Sequence, residues 1–152
     1  MTFDFKAHPE LRDEQLDIYY WQSPHKQIFE DFWATVKKVH DGDTITVNWK
    51  ERDFDFPIRF ALINAPELSE EGGKQAQSWL EQQILNEEVL ILINKNNRVD
   101  KWGRLIGTVI HRGLDMNEAA VLTGHAKPFT QRNESKLPKI EEFFSTKQWL
   151  NS

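Results

Sequence analysis

The feature that most narrows the fold is a hairpin written into residues 33–49. In 33-WATVKKV-39 and 44-TITVNW-49, β-branched residues alternate with polar ones, and Asp41-Gly42-Asp43 lies between them as turn chemistry. A period of two puts alternate side chains on one face, so each strand is expected to bury one side. A third strand is expected over 56-FPIRFALI-63, with Pro57 near its start, where a missing N–H is tolerated. The spacing of Ala76, Trp79, Leu80 and Ile84 predicts a helix over residues 71–85. The run 88-EVLILIN-94 is apolar enough for a strand buried on both faces, and 104-RLIGTVIH-111 supplies a fifth. Asp115 and Glu118, three apart, suit the start of a second helix, with Gly124 as its stop. A third helix is expected from Pro138, carrying Ile140, Phe143 and Phe144.

Five short strands with a helix after the third match the layout of an OB-fold. The expected class is therefore α+β, mainly β: a five-stranded barrel with three α-helices. A chain of 152 residues can build one domain with a real core, and 39% apolar with 28% charged residues suits a soluble globular protein. The domain is expected over residues 32–150. Residues 1–31 form an acidic, aromatic N-terminal extension, with room for a short helix in 9-PELRDEQLDIYY-20.

Composition excludes several chemistries. Zero cysteines remove disulfides, thiol catalysis and Cys-containing zinc sites, and leave the redox compartment open. No run of 18 apolar residues exists to span a membrane. The opening MTFDFKAHPELRDEQL lacks a basic n-region and an apolar h-region, so no signal peptide is expected in the chain as given; export would require a leader already removed. Net charge is −5, which argues against a general nucleic-acid coat. Locally, however, 95-KNNRVDKWGR-104 holds four cations and one anion, whereas residues 1–33 hold three Lys/Arg against seven Asp/Glu. An anionic substrate would meet that patch rather than the whole surface.

Three short stretches could carry chemistry. Asp41 and Asp43 flank a glycine and can aim oxygens at a hard cation, although Asp-Gly is also a common hairpin turn. Arg59 inside an apolar run needs an anion, either a core carboxylate or a ligand. Pro66 biases Ala65 towards an extended backbone, which would present the Asn64 side chain and the Ala65 carbonyl outwards with Glu67 close behind. That is a metal corner or a plain strand-to-loop exit. In 100-DKWGR-104, Gly103 permits a turn into Arg104, and Trp102 either stacks on a base or covers the barrel. The histidines at 8, 25, 40, 111 and 125 show no ligand spacing, and no Gly-rich phosphate loop, G-x-S-x-G or H-E-x-x-H is present.

Taken in order, 34-ATVKKVHDGDTITV-47, 59-RFALINAPE-67, 100-DKWGR-104 and 117-NEAAVLTGHAK-127 resemble staphylococcal-type thermonuclease, the SNase-like family. The resemblance covers roughly residues 33–127, and Trp149-Leu150 extends it. It implies an OB-fold barrel that hydrolyses DNA and RNA with Ca²⁺, without sequence specificity, leaving 3′-phosphate ends. It further implies that Asp43 and the Ala65 carbonyl ligate calcium, that Asn64 takes the place of a second ligand aspartate, and that Asp41 serves the outer shell. Glu67 matches the general base on the attacking water. Arg59 and Arg104 match the arginines that grip the phosphate, and Lys101 and Trp102 the substrate-contacting groups. The expected substrates are DNA and RNA, single strands preferred, with the chain a monomer away from membranes.

Two departures qualify the resemblance. Asn64 offers a neutral oxygen where an aspartate would bring charge, which should weaken calcium binding. After 124-GHAK-127 the chain reads Pro128-Phe129-Thr130 where the family often has tyrosines near the nucleotide, so the base pocket does not transfer. The alternative is an OB-fold nucleic-acid-binding module with weak or no catalysis. A third reading gives the N-terminal extension a role in protein interaction: a packed extension, a tail, or an acidic mimic that shields the basic patch.

Overall fold

The structure is a computed structural model that describes residues 9–20, 23 and 25–128. The helix expected from Pro138, together with Phe129 and Trp149-Leu150, lies outside the described residues.

The hairpin forms as its alternation requires. β1 (Phe32–Asp41) pairs antiparallel with β2 (Thr44–Asn48), with Val36 opposite Val47 and Asp41 opposite Thr44. β2 pairs with β3 (Phe56–Phe60), and β1 with β5 (Glu88–Leu92), which in turn pairs with β6 (Leu105–His111). A parallel pairing of β3 with β6, Ile58 opposite Leu105, closes the five strands into a barrel. Closure gives each of these strands two neighbours, the arrangement that abolishes sheet edges. Two register shifts in β1, between Val36 and Lys38 and between Val39 and Asp41, bend that strand around the barrel.

Val36, Ile45, Val47, Ile58, Val89, Ile91, Leu105 and Val109 fill the interior, all essentially without exposure. α2 (Gly73–Ile84) lays Ala76, Leu80 and Ile84 against this core. β7 (Leu114–Asp115) hooks onto β6 and leads into α3 (Met116–Leu122), whose first turn is capped by Asp115 accepting from the Glu118 amide at 3.0 Å. Ahead of the barrel, α1 (Asp13–Tyr19) occupies part of the acidic segment, and Leu11 and Ile28 beside it are buried.

Two expectations are corrected. The strand expected over 56–63 stops at Phe60; Ala61 and Leu62 turn, and β4 (Ile63–Asn64) joins a separate ribbon with β8 (Lys127–Pro128). Leu62 takes the left-handed region, φ 64°, which a β-strand cannot contain. The 88–94 strand is shorter and buries only one face fully; Leu90 and Leu92 on the other are half-buried.

A candidate nucleic-acid-processing site at the barrel rim

The break after Phe60 brings the ends of 59-RFALINAPE-67 together. Arg59 folds over its own turn: Nη1 donates to the Phe60 carbonyl at 2.8 Å, and Nη2 to the Ile63 carbonyl at 3.0 Å and to Asn64 Oδ1 at 3.4 Å. Asn117 holds the same turn from α3. Its Nδ2 donates to the Ala61 carbonyl at 2.9 Å and to that of Gly107 at 3.2 Å, while Oδ1 accepts from the Val109 amide at 3.0 Å. A buried amide satisfied this way helps fix where β3 ends, because it supplies partners to the Ala61 carbonyl and the Val109 amide; the Gly107 carbonyl also accepts from the Ala61 amide at 2.9 Å.

The Asp41–Asp43 turn meets this loop edge to edge. Asp41 Oδ1 accepts from the Asp43 amide at 3.0 Å, a local turn-stabilising bond. Asp43 Oδ2 accepts from the Ala65 amide at 2.7 Å and lies 3.4 Å from Arg59 Nη2; Oδ1 accepts from Thr44 Oγ1 at 3.2 Å. Gly42 makes this approach sterically feasible. A Cβ there would come within 2.7 Å of the Ala65 Cβ and 2.8 Å of the Ala76 Cβ. The glycine of this turn is thus required by packing against α2 and the β4 exit, and it is not among the left-handed glycines. Gly73 does the same for the next segment, since a Cβ there would overlap the Glu67 carbonyl.

Burial shapes the electrostatics. The Asp43 carboxyl is pushed from its ordinary 3.8 up to about 6, chiefly by loss of solvation; the Arg59 charge pulls the other way, and the bond and charge of Asp41 add to the rise. His40, next to the turn, is lowered by burial and by Lys38, and its Nε2 lies 2.6 Å from Thr46 Oγ1.

Arg104 immediately precedes β6, the parallel neighbour of β3. The register sets Arg59 opposite Ile106, so Arg104 enters the strand beside the one that carries Arg59, two positions earlier. Asp100, buried, organises the turn before β6: its Oδ1 accepts from the Trp102 and Arg104 amides, both at 2.9 Å, and Oδ2 from Arg104 Nε at 2.7 Å. Trp102 is 59% exposed, with Lys101 Nζ 4.5 Å and the Arg104 guanidinium carbon 5.2 Å from its ring centroid. At this exposure Trp102 is not packed into the core, and its nearest ring neighbours are the two cations. The basic patch is smaller than the sequence implies. Arg98 is 4% exposed and ion-paired with Glu10 at 2.8 Å, so it is not a surface cation.

Arg59, Asp43, Asn64 and Ala65 thus form one cluster, with Asp41 bonded to the Asp43 amide, and the Arg104 turn leads into the neighbouring strand. Glu67 is exposed; its carboxylate makes no hydrogen bond or ion pair among the described residues, and its backbone amide donates to Glu70 Oε1 at 2.8 Å. Two residues escaped the sequence reading. Asn117 lies inside a quoted motif but gave no sign of bonding a turn 56 residues away. Lys127 pairs with Asn64 across the β4–β8 ribbon, adding a cation to that edge. A concavity of about 390 Å³ that includes Lys26, Phe29, Trp33, Trp49 and Lys50 lies at the other end of the β1–β2 hairpin and shares no residue with this cluster.

Among the described residues, no group of three or more His, Asp or Glu could hold a metal. The available set is one carboxylate, one amide oxygen and one carbonyl, from Asp43, Asn64 and Ala65. It is all oxygen, as a hard cation requires, and the buried Asp43 carboxyl has its ionised form penalised, which an added cation would relieve. These oxygens are of the chemical type a hard cation takes and carry a single formal charge.

Residues 57–148 match the family model described as staphylococcal nuclease homologue. An uncharacterized protein of Bacillus anthracis is 29% identical over 96 residues, covering 59% of this chain and 44% of that relative. The chain therefore spans less than half the length of that relative. The matched region carries Arg59, Asn64, Glu67 and Arg104 on a closed five-stranded barrel. By sequence and by fold, the chain belongs to the staphylococcal nuclease homologue family.

Proposed function

We propose that this chain is a calcium-dependent phosphodiesterase acting on DNA and RNA without sequence specificity, single strands preferred, and leaving 3′-phosphate ends. The observation that carries the reading is the convergence on one guanidinium: Arg59 Nη2 lies 3.4 Å from both Asp43 Oδ2 and Asn64 Oδ1. A scissile phosphate at this rim would draw the Arg59 guanidinium onto its non-bridging oxygens, with Arg104 reaching from the neighbouring strand. Paired guanidinium N–H bonds strengthen as charge builds on those oxygens during attack. Glu67, unengaged by the cluster, is the group to take the proton from the attacking water. Lys101 and Trp102 meet the flanking nucleotide, the ring by stacking and the ammonium by charge. Asp43, Asn64 and the Ala65 carbonyl would hold calcium, which when bound neutralises phosphate oxygens and orients water.

The test is a calcium-titrated digestion of single-stranded DNA and RNA with analysis of the product ends. Cleavage should stop on chelation and fall about 10²-fold or more in Glu67→Ser and in Arg59→Ala. The second reading, a binding module without catalysis, is favoured by the single carboxylate in the cluster. Binding with no cleavage at millimolar calcium would establish it instead.

A further inference from the structure

The acidic segment ahead of the barrel is tied into the molecule by a buried three-charge clasp. Glu10 is 1% exposed; Oε1 meets Arg52 Nη2 at 2.5 Å and Oε2 meets Arg98 Nη2 at 2.8 Å. Arg52 belongs to the loop between β2 and β3, and Arg98 to the loop between β5 and β6. Segment backbone completes the clasp. The Ile28 amide donates to Glu10 Oε2 at 2.9 Å, Arg98 Nε donates to the Ile28 carbonyl at 2.7 Å, and Arg52 Nη2 to that of Lys26 at 2.7 Å. Gln27 crosslinks the two halves of the segment, accepting from the Leu11 amide at 2.7 Å and donating to the Pro9 carbonyl at 2.9 Å.

Arg98 opens the loop that carries Lys101, Trp102 and Arg104. Its carbonyl accepts from the Ile106 amide at 2.7 Å, across the base of that loop. Arg12 reaches the same loop directly, Nη1 donating to the Lys101 carbonyl at 3.3 Å. Glu10, a deeply buried carboxylate of the segment, thus grips the root of the substrate loop, and Arg12 touches its tip. This arrangement differs from an acidic shield: Glu10 is consumed by Arg98 and Arg52 inside the fold and offers nothing to the surface.

We infer that Glu10 is a positioning residue for the Lys101–Arg104 loop, so that the N-terminal segment, which precedes the matched residues 57–148, sets how firmly that loop meets a nucleic-acid strand. The inference rests on the nuclease reading for its consequence and on the clasp for its cause. Glu10 touches no substrate; it acts through Arg98. Losing its charge frees the loop root while the Asp43–Ala65 contact, which shares no residue with the clasp, stays in place.

The experiment uses the full chain and Glu10→Gln. Amide hydrogen exchange is followed at Trp102 and Arg104, whose amides Asp100 accepts, with Ala65 and Val109 as internal references. Exchange at 102 and 104 should accelerate about tenfold or more relative to the references, and kcat/KM for single-stranded DNA should fall about tenfold or more, because Arg104 sits on that loop beside Lys101 and Trp102. Equal acceleration at all four amides would reduce Glu10 to general stability and overturn the inference, as would a folded Glu10→Gln with unchanged loop exchange. Should Glu10→Gln not fold, Arg12→Ala decides: it removes an exposed contact and should accelerate the same two amides by a smaller factor, and no acceleration there overturns the inference. If the wild type cleaves nothing across the calcium series, the nuclease reading fails by itself, and the exchange pattern still decides the clasp.

Discussion

Asp43 and Ala65, 22 residues apart in the chain, are joined by a 2.7 Å hydrogen bond from the Ala65 amide to the Asp43 carboxylate. That bond locks the first hairpin turn to the strand exit that carries Asn64 and Glu67. It also takes Asp43 out of water, leaving the carboxylate with Arg59 as its neighbouring cation.

The cost of that burial sets a pH dependence. The Asp43 carboxyl titrates at about 6 in the folded chain against an ordinary 3.8. Between those values the folded state holds the proton more tightly than the unfolded one, so this group's stabilising contribution is present below the lower value and is lost as pH rises through the upper. The loss amounts to roughly 3 kcal/mol. Asp43→Asn, which cannot titrate, should therefore gain stability relative to wild type between about pH 4 and about pH 7 in urea melts. The reverse trend would mean that the ion pair with Arg59 outweighs desolvation.

Gly42→Ala should destabilise the protein by about 1–3 kcal/mol, because its methyl would press on the Ala65 and Ala76 methyls in a packed contact. Cleavage should fall as well, since relief of the clash separates Asp43 from Ala65. Chemical denaturation with a parallel nuclease assay checks both; an unchanged midpoint would show that the turn has room to yield.

Asn64→Asp adds a second carboxylate where Arg59 already reaches. The calcium needed for half-maximal cleavage should drop about tenfold, since ligand charge count is a main determinant of calcium affinity. Calorimetric titration of calcium into both proteins gives the same answer without a turnover step, and identical affinities would remove Asn64 from the ligand set.

Asn117→Ala orphans the Ala61 carbonyl and the Val109 amide, both away from solvent. A loss of about 2–4 kcal/mol is expected, the usual cost of two unsatisfied buried groups. Activity should fall even at temperatures where the variant is fully folded, because the turn that lets Arg59 meet Asn64 is no longer held. A variant of normal stability would show that water replaces the amide.

The sequence by itself determined the barrel. Alternation in 33–39 and 44–49, the apolar run 88–94 and the helix phase of Ala76, Leu80 and Ile84 are local signals for these elements, although the burial of 88–92 on one face only was decided by the packing. It also marked the stretches that bear chemistry, since an arginine in an apolar run and an Asn-Ala-Pro-Glu exit are conspicuous in one dimension. Only the tertiary structure decided which of those residues meet. The stop of β3 at Phe60 depends on Asn117 from α3 and on the Arg59 side chain turning back, neither of which has a local signature. The removal of Arg98 from the basic patch depends on Glu10, 88 residues earlier, because a buried guanidinium and a buried carboxylate are tolerable only where the fold brings them together.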